Sequence, residues 1–226
     1  MDLSLIAENA HLFAQGVWVT ITLVSMALAG GVLLGLPMAI AQSQRIPVLG
    51  RLAQVYSYVF RGTPLLVQLY ILYYGLAQFE AVRASIFWVP LSNAYVCALI
   101  AFTLNSAAYV TEIYRGALLN VDRGEIEAGL ACGMTRRQVM WRIIVPQALR
   151  TSLPAYSNEV IFLLHASVVA STITVIDILG AGRTLNAQYY VVYEGFLTAA
   201  VLYMAIVAVL TLCIRWLERR YLFSKA

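Results

Sequence analysis

The chain has 226 residues, of which 62% are hydrophobic and only 12% charged, and its formal net charge is +4. Soluble globular chains carry roughly 25% charged residues, so this composition, with a mean hydropathy of +0.79, excludes a water-soluble enzyme and defines an integral membrane protein. The positive balance does not point to nucleic acid, because the basic residues follow membrane topology.

In chain order, the first 16 residues carry Asp2 and Glu8 and no basic leader. They predict a short interfacial helix rather than a cleaved signal, with Leu5, Ile6, Leu12 and Phe13 as its apolar face. A membrane-spanning helix needs about 20 mainly apolar residues. Five stretches meet that length, at about 17–41, 54–79, 93–114, 154–175 and 196–215. Pro37 and Pro64 fall inside the first two, which is tolerable where neighbouring helices satisfy the freed carbonyls. Pro154 sits at the entrance of the fourth, where a helix accepts it.

Arginine placement predicts the orientation. With the N-terminus outside, twelve of the 15 basic residues are cytoplasmic: Arg45 and Arg51; Arg115, Arg123, Arg136, Arg137, Arg142 and Arg150; Arg215, Arg219, Arg220 and Lys225. Arg83 and Arg183 fall outside, and Arg61 lies near the inner end of the second stretch. Tyr73, Tyr74, Trp88, Tyr189, Tyr190 and Tyr193 then form an outer aromatic belt. The three cysteines, Cys97, Cys132 and Cys213, have neither metal nor redox spacing and read as inert small apolar residues. No repeat or linker divides the chain, so a single domain over 1–226 is expected.

Between the third and fourth stretches, residues 116–153 form a polar cytoplasmic loop. Within 125–146, Ile126, Leu130, Val139, Ile143 and Ile144 recur at helical spacing between charges. Gly133 followed by Thr135 predicts one helix ending and another being capped. Such an elbow suits docking into a partner's groove; a solvated connector is the plainer alternative.

Glu127-Ala128-Gly129, Gly133, Ile143 and Pro146 resemble the EAA loop of ABC importer permeases in every spacing, with Gly129 and Val145 departing by small or apolar changes. Arg61-Gly62-Thr63-Pro64-Leu65-Leu66-Val67-Gln68 resembles a second signature, particular to the polar amino acid branch. Glu112 to Gly116 and Pro154 to Ile161 fit the same branch, and the resemblance spans roughly residues 16–222. It implies an all-α permease of the type I importer fold, with five transmembrane helices, the N-terminus outside and the C-terminus cytoplasmic. It also implies a coupling helix, formed around Glu127, Ala128, Gly129, Gly133, Ile143 and Pro146, that sits in a cleft of an ATP-binding subunit. The partners implied are two ATP-binding subunits holding ATP and magnesium, a second identical or homologous permease and a periplasmic substrate-binding protein. The subunit would lie among the lipids of a bacterial inner membrane as a multi-pass protein. The branch resembled includes permeases for histidine, lysine, arginine, ornithine and opines; His165 stands where many glutamine or acidic amino acid relatives carry Lys.

Ionisable groups inside a span cost several kcal/mol unless they face a partner, a cavity or water. Glu159 suits attraction of a cationic amino acid side chain, or alternatively a buried pair with Arg61. Asn158 and His165 lie seven residues apart on one helical face; His165 reads equally as ligand or packing residue. Asn105 is expected to line the pathway, whereas Glu112 reads best as a local ion pair with Arg115, three residues on. Gly62-Thr63-Pro64 interrupts the second stretch. Thr63 and the amides of Gly62 and Leu65 would then be donors for a substrate carboxylate, unless the break only serves packing.

No phosphate-binding G-x-x-x-x-G-K-[ST] loop, zinc-protease H-E-x-x-H or Ser-centred elbow occurs in the chain. Neither catalysis nor a cofactor or metal of its own is expected. The reading is a permease subunit for basic amino acids or opines, or for another polar amino acid such as glutamine. A proton-coupled secondary transporter using Glu159 and Glu112 and a structural membrane anchor for a soluble complex are the rival classes.

Overall fold

A computed structural model of the protein describes residues 3–222; Asp2 and Lys225 lie outside them. The described chain is all-helical. Helix α1 (Leu3–Glu8) turns directly into α2 (Ala10–Ser43), so the first long helix starts at Ala10 rather than near residue 17. Leu12 and Phe13 therefore belong to α2. They join Leu5 in a cluster around Ala181 and Leu185 instead of covering an interfacial helix of 16 residues.

The 34 residues of α2 extend about 50 Å at 1.5 Å per residue, well beyond a hydrocarbon core of about 30 Å. Ala27, Gly31, Gly35 and Ala39 recur every four residues and make one buried face. Along that seam lies α7 (Ala94–Leu119). A Cβ on Gly31 would come 2.6 Å from the Ser106 hydroxyl, and one on Gly35 2.8 Å from the Ala107 carbonyl. Small residues allow two helix backbones to close on each other where lipid supplies no hydrophobic drive.

The second stretch, expected as one span interrupted at Gly62-Thr63-Pro64, is two helices with the break at that place. It comprises α3 (Leu49–Gly62), an extended Thr63-Pro64 step, and α4 (Leu65–Tyr70), which continues through a widened turn at Ile71–Gly75 and a tight one at Leu76–Gln78. The cause is local. Proline disfavours the helical conformation in the residue before it, and Thr63 has φ −115° and ψ 141°. A hydropathy window averages across this break and sees one apolar run.

Two short helices, α5 (Glu80–Arg83) and α6 (Trp88–Leu91), lead to α7, whose start is capped by the Asn93 side chain. The polar segment holds α8 (Arg123–Ala131), α9 (Arg136–Val139), a wide turn at Met140–Ile144, and α10 (Val145–Thr151). Next come α11 (Leu153–Ala166), tightening into a 3₁₀ run at Ser167–Ile173, then α12 (Ile178–Tyr189) and α13 (Val192–Leu222).

Among the described residues, four helical segments are long and apolar enough to cross a membrane: Ala10–Ser43, Ala94–Leu119, Leu153–Ile173 and Val192–Arg220. Buried Asp177 fastens α12 into this frame. It accepts from the Gly180 amide at 2.7 Å and the Tyr203 hydroxyl at 3.2 Å, and the Ile178 amide donates to Thr20 of α2 at 3.3 Å. The main core gathers Leu23, Leu69, Phe102, Leu163 and Ile173.

Candidate functional site

The broken helix is held open by side chains. Pro64 has no N–H, and the step at Thr63 strands the last carbonyls of α3. Gln68 answers them: its Nε2 lies 2.7 Å from the Phe60 carbonyl, 3.1 Å from the Thr63 carbonyl and 2.7 Å from the Thr63 hydroxyl. The Gln68 Oε1 accepts from Asn105 Nδ2 at 3.1 Å, and the Thr63 hydroxyl donates to the Val59 carbonyl at 2.9 Å.

Beside this break is a cavity of about 690 Å³ between α3, α4, α7 and α11. Six of the seven sequence candidates line it: Gly62, Thr63, Leu65, Asn105, Asn158 and Glu159. His165 does not. The lining stripe of α11 runs through Ala155, Glu159, Phe162, Leu163 and Ala166, and His165 points off its flank, exposed. Its seven-residue spacing from Asn158 is real, but Asn158 is itself at the edge of the stripe.

Glu159 is only 6% exposed. Its polar neighbours are Ser106 and Arg61; the Ser106 hydroxyl is buried and makes no complete hydrogen bond. Arg61 lies 3.8 Å from Glu112 and stacks 5.5 Å from the centre of the Tyr109 ring. Glu112 is held elsewhere. Its Oε2 is 2.8 Å from Arg115 Nη2 and 3.0 Å from Arg115 Nε, and its Oε1 accepts from Ser57 at 2.9 Å. The single full-strength ion pair at this level is thus Glu112 with Arg115, while Glu159 keeps a carboxylate turned to the cavity with Arg61 nearby.

Sequence reasoning missed two participants: Gln68 as the clamp of the break, and Tyr109 beneath Arg61, which was itself read only as an alternative partner of Glu159. Tyr109 had a usable signal, because Asn105, Tyr109 and Glu112 form one stripe of α7 at i, i+4 and i+7.

The polar elbow is built with equal economy. After α8, the Gly133 amide donates to Leu130 and the Met134 amide to Gly129, with Gly133 at φ +81°: a Schellman close. Thr135 then opens α9 with a reciprocal cap, its N–H bonding Gln138 Oε1 at 2.8 Å and its Oγ accepting from the Gln138 amide at 3.3 Å. Ile143 folds back over Gly129. A Cβ at Gly129 would lie 2.7 Å from Ile143 Cδ1, so alanine there would need the tip of the Ile143 side chain to shift. Pro146 follows the wide turn at Met140–Ile144, as expected where a residue cannot donate into the helical ladder. Glu127 and Ala128 stay exposed on α8. A groove of about 610 Å³ opens between Ile126, Leu130, Met140, Trp141 and Ile144. From there Val145 and Ala148 of α10 pack on Ala39, Val110, Tyr114 and Leu118, joining the elbow to α2 and α7.

Long apolar helices wrapped around a cavity that holds a buried carboxylate, with an amphipathic elbow at one end, make this a multi-pass membrane permease. The chain belongs to the family of binding-protein-dependent transport system inner membrane components, matched over residues 31–223. Family members are permease subunits of ABC importers, which work with a substrate-binding protein and leave ATP hydrolysis to a separate subunit.

Similar chains include the octopine transport system permease protein OccM of Rhizobium radiobacter. It is 44% identical over 205 residues, covering 89% of this chain and 84% of OccM. The histidine/lysine/arginine/ornithine transport system permease protein HisM of Salmonella typhimurium is 39% identical over 224 residues, covering 97% of this chain and 93% of HisM. The crystal structure of an amino acid ABC transporter with histidines superposes with a TM-score of 0.87 at 33% identity, over 97% of this chain and 99% of that one.

Proposed function

We propose that this subunit carries basic amino acids or opines across a bacterial inner membrane by alternating access. The observation that supports this most directly is Glu159, a carboxylate 6% exposed that lines the cavity with Asn105 and Asn158 and has Arg61 as its cationic neighbour among the described residues. A guanidinium or ammonium side chain entering there meets a carboxyl group that holds no ion pair within 4 Å among the described residues, whereas the Glu112 carboxylate is already engaged by Arg115 and Ser57. The names of OccM and HisM agree with that chemistry.

On this reading the chain is one permease domain over 1–226, with the N-terminus outside and the C-terminus cytoplasmic. It crosses five times, the α3–α4 pair counting as one interrupted crossing. Residues 116–153 carry the coupling helix, with Glu127, Ala128, Gly129, Gly133, Ile143 and Pro146 in the elbow that two ATP-binding subunits grip. ATP and magnesium are bound in those subunits. A second permease, identical or homologous, completes the pathway; the cavity's open side, where Asn158 is exposed and Phe162 is 68% exposed, supports a facing half. A periplasmic binding protein delivers substrate to the outer loops, about 80–92 and 176–195. Gly62, Thr63 and Leu65 form the wall nearest the substrate carboxylate, and His165 borders the path rather than the pocket.

The test is arginine, histidine and octopine uptake by the complete complex in ATP-loaded vesicles. Glu159→Gln is expected to cut transport of cationic substrate at least tenfold with subunit assembly unchanged. Uptake equal to wild type overturns the assignment.

A further inference from the structure

A second cavity, of about 540 Å³, lies at the other end of α3, where Gln42 of α2 and Arg45 of the α2–α3 turn face Arg51 and Gln54 of α3 and Arg115 of α7. Its charge is one-sided. Glu112 also lines it, but both of that carboxylate's oxygens are engaged by Arg115 and Ser57. Among the described residues, Arg45 and Arg51 have no acidic partner. Gln42 adds a buried side-chain Nε2 without a hydrogen-bond acceptor. A buried donor left unmade costs free energy that an incoming acceptor recovers, and two free guanidiniums select an oxyanion.

Two further features narrow the ligand. Arg45 sits at φ +51° in the left-handed position that closes α2, with the Arg45 amide on Gln42 and the Ile46 amide on Ala41. Glycine is the usual residue there, so a cationic side chain is kept at a conformational cost. Next to the arginines, α3 shows an uninterrupted apolar stripe: Val48, Leu52, Val55 and Val59 are 72%, 61%, 61% and 47% exposed. At 100° per residue, Arg51 stands one step around the helix from Val55. An oxyanion pocket bordered by a bare hydrocarbon-facing stripe matches a molecule with a phosphate head and acyl tails.

We propose that this cavity binds the phosphate headgroup of an anionic phospholipid, its acyl chain lying along Val48, Leu52, Val55 and Val59. Basic pockets between transmembrane helices on the cytoplasmic side take such headgroups. Only that choice of side rests on the orientation proposed above.

The test uses the complete complex in nanodiscs of phosphatidylcholine carrying trace spin-labelled phosphatidylglycerol or phosphatidylcholine. Both leaflets then have one composition, so the result is independent of orientation and of substrate. Wild type is expected to immobilise phosphatidylglycerol about tenfold more than phosphatidylcholine, a preference that R45Q/R51Q abolishes and R45K/R51K largely keeps. Should the double variant fail to fold, R51Q alone, on the exposed side of α3, is expected to lose about threefold. Equal immobilisation of the two lipids by wild type overturns the proposal, as does full preference in R51Q or R45Q/R51Q. Release of the lipid by millimolar inorganic phosphate also overturns it, assigning the cavity to a soluble anion.

Discussion

The side-chain amides of Gln68 and Asn105 meet at 3.1 Å, and through that bond the break in the α3–α4 pair is tied to α7. Gln68 supplies donors to the stranded Phe60 and Thr63 carbonyls while its oxygen takes one from Asn105. Removing the donors leaves the half-buried Phe60 carbonyl with only the 3.4 Å contact from Asn105, at roughly 1 kcal/mol. We expect the order wild type, Q68L, Q68E in thermal unfolding of the detergent-solubilised complex, because a carboxylate at 68 would face carbonyls it cannot satisfy. Equal melting of Q68E and wild type would contradict the clamp.

The α2–α7 seam predicts a contrast between two glycines. Gly35→Ala drives a methyl against the Ala107 carbonyl and Val110, at 2.7–2.8 Å, and overpacking of this kind costs about 1–3 kcal/mol. Gly62→Ala meets nothing within 4 Å and needs no left-handed backbone. Melting temperature should fall in the first and hold in the second, even if uptake changes in both.

Gly133 is required for conformation rather than space, since no atom lies within 4 Å of its missing Cβ but φ is +81°. Gly133→Ala is expected to cost roughly 1–2 kcal/mol locally, loosening the elbow. The measurable result is reduced substrate stimulation of ATP hydrolysis by the assembled complex with basal hydrolysis retained. Gly133→Asn, which enters the left-handed region more readily, should recover part of it.

Cysteine reactivity checks the orientation. Cys132 is exposed on the elbow and Cys97 is buried. In a C213S background, a membrane-impermeant maleimide should label Cys132 in inverted vesicles and not in intact spheroplasts. Labelling of intact cells would reverse the topology.

How far the residues announce this structure varies with the kind of physics involved. The apolar runs and the elbow were legible, since a 20-residue hydrophobic length and a Gly133-to-Thr135 helix end depend on local chemistry. The break at Thr63 was legible too, although a hydropathy window averages across it, because a Gly-Thr-Pro step interrupts a helix through local chemistry. Gln68 was invisible in its role: nothing in a periodicity says which carbonyls three-dimensional packing will strand. His165 shows the converse limit. Spacing gave its helical face, while the cavity's edge was set by where α3 and α7 approach α11.

Ser106 sits between two very different neighbours, the bare backbone of Gly31 on one side and Glu159 on the other. Helices that meet through glycine and carbonyl cannot slide without collision, so α2 and α7 form a fixed back wall. Any opening and closing at Glu159 then falls to α11 and to the broken α3–α4 pair, which face α7 across the cavity. The cavity has a door frame and a door, and Ser106 marks the frame.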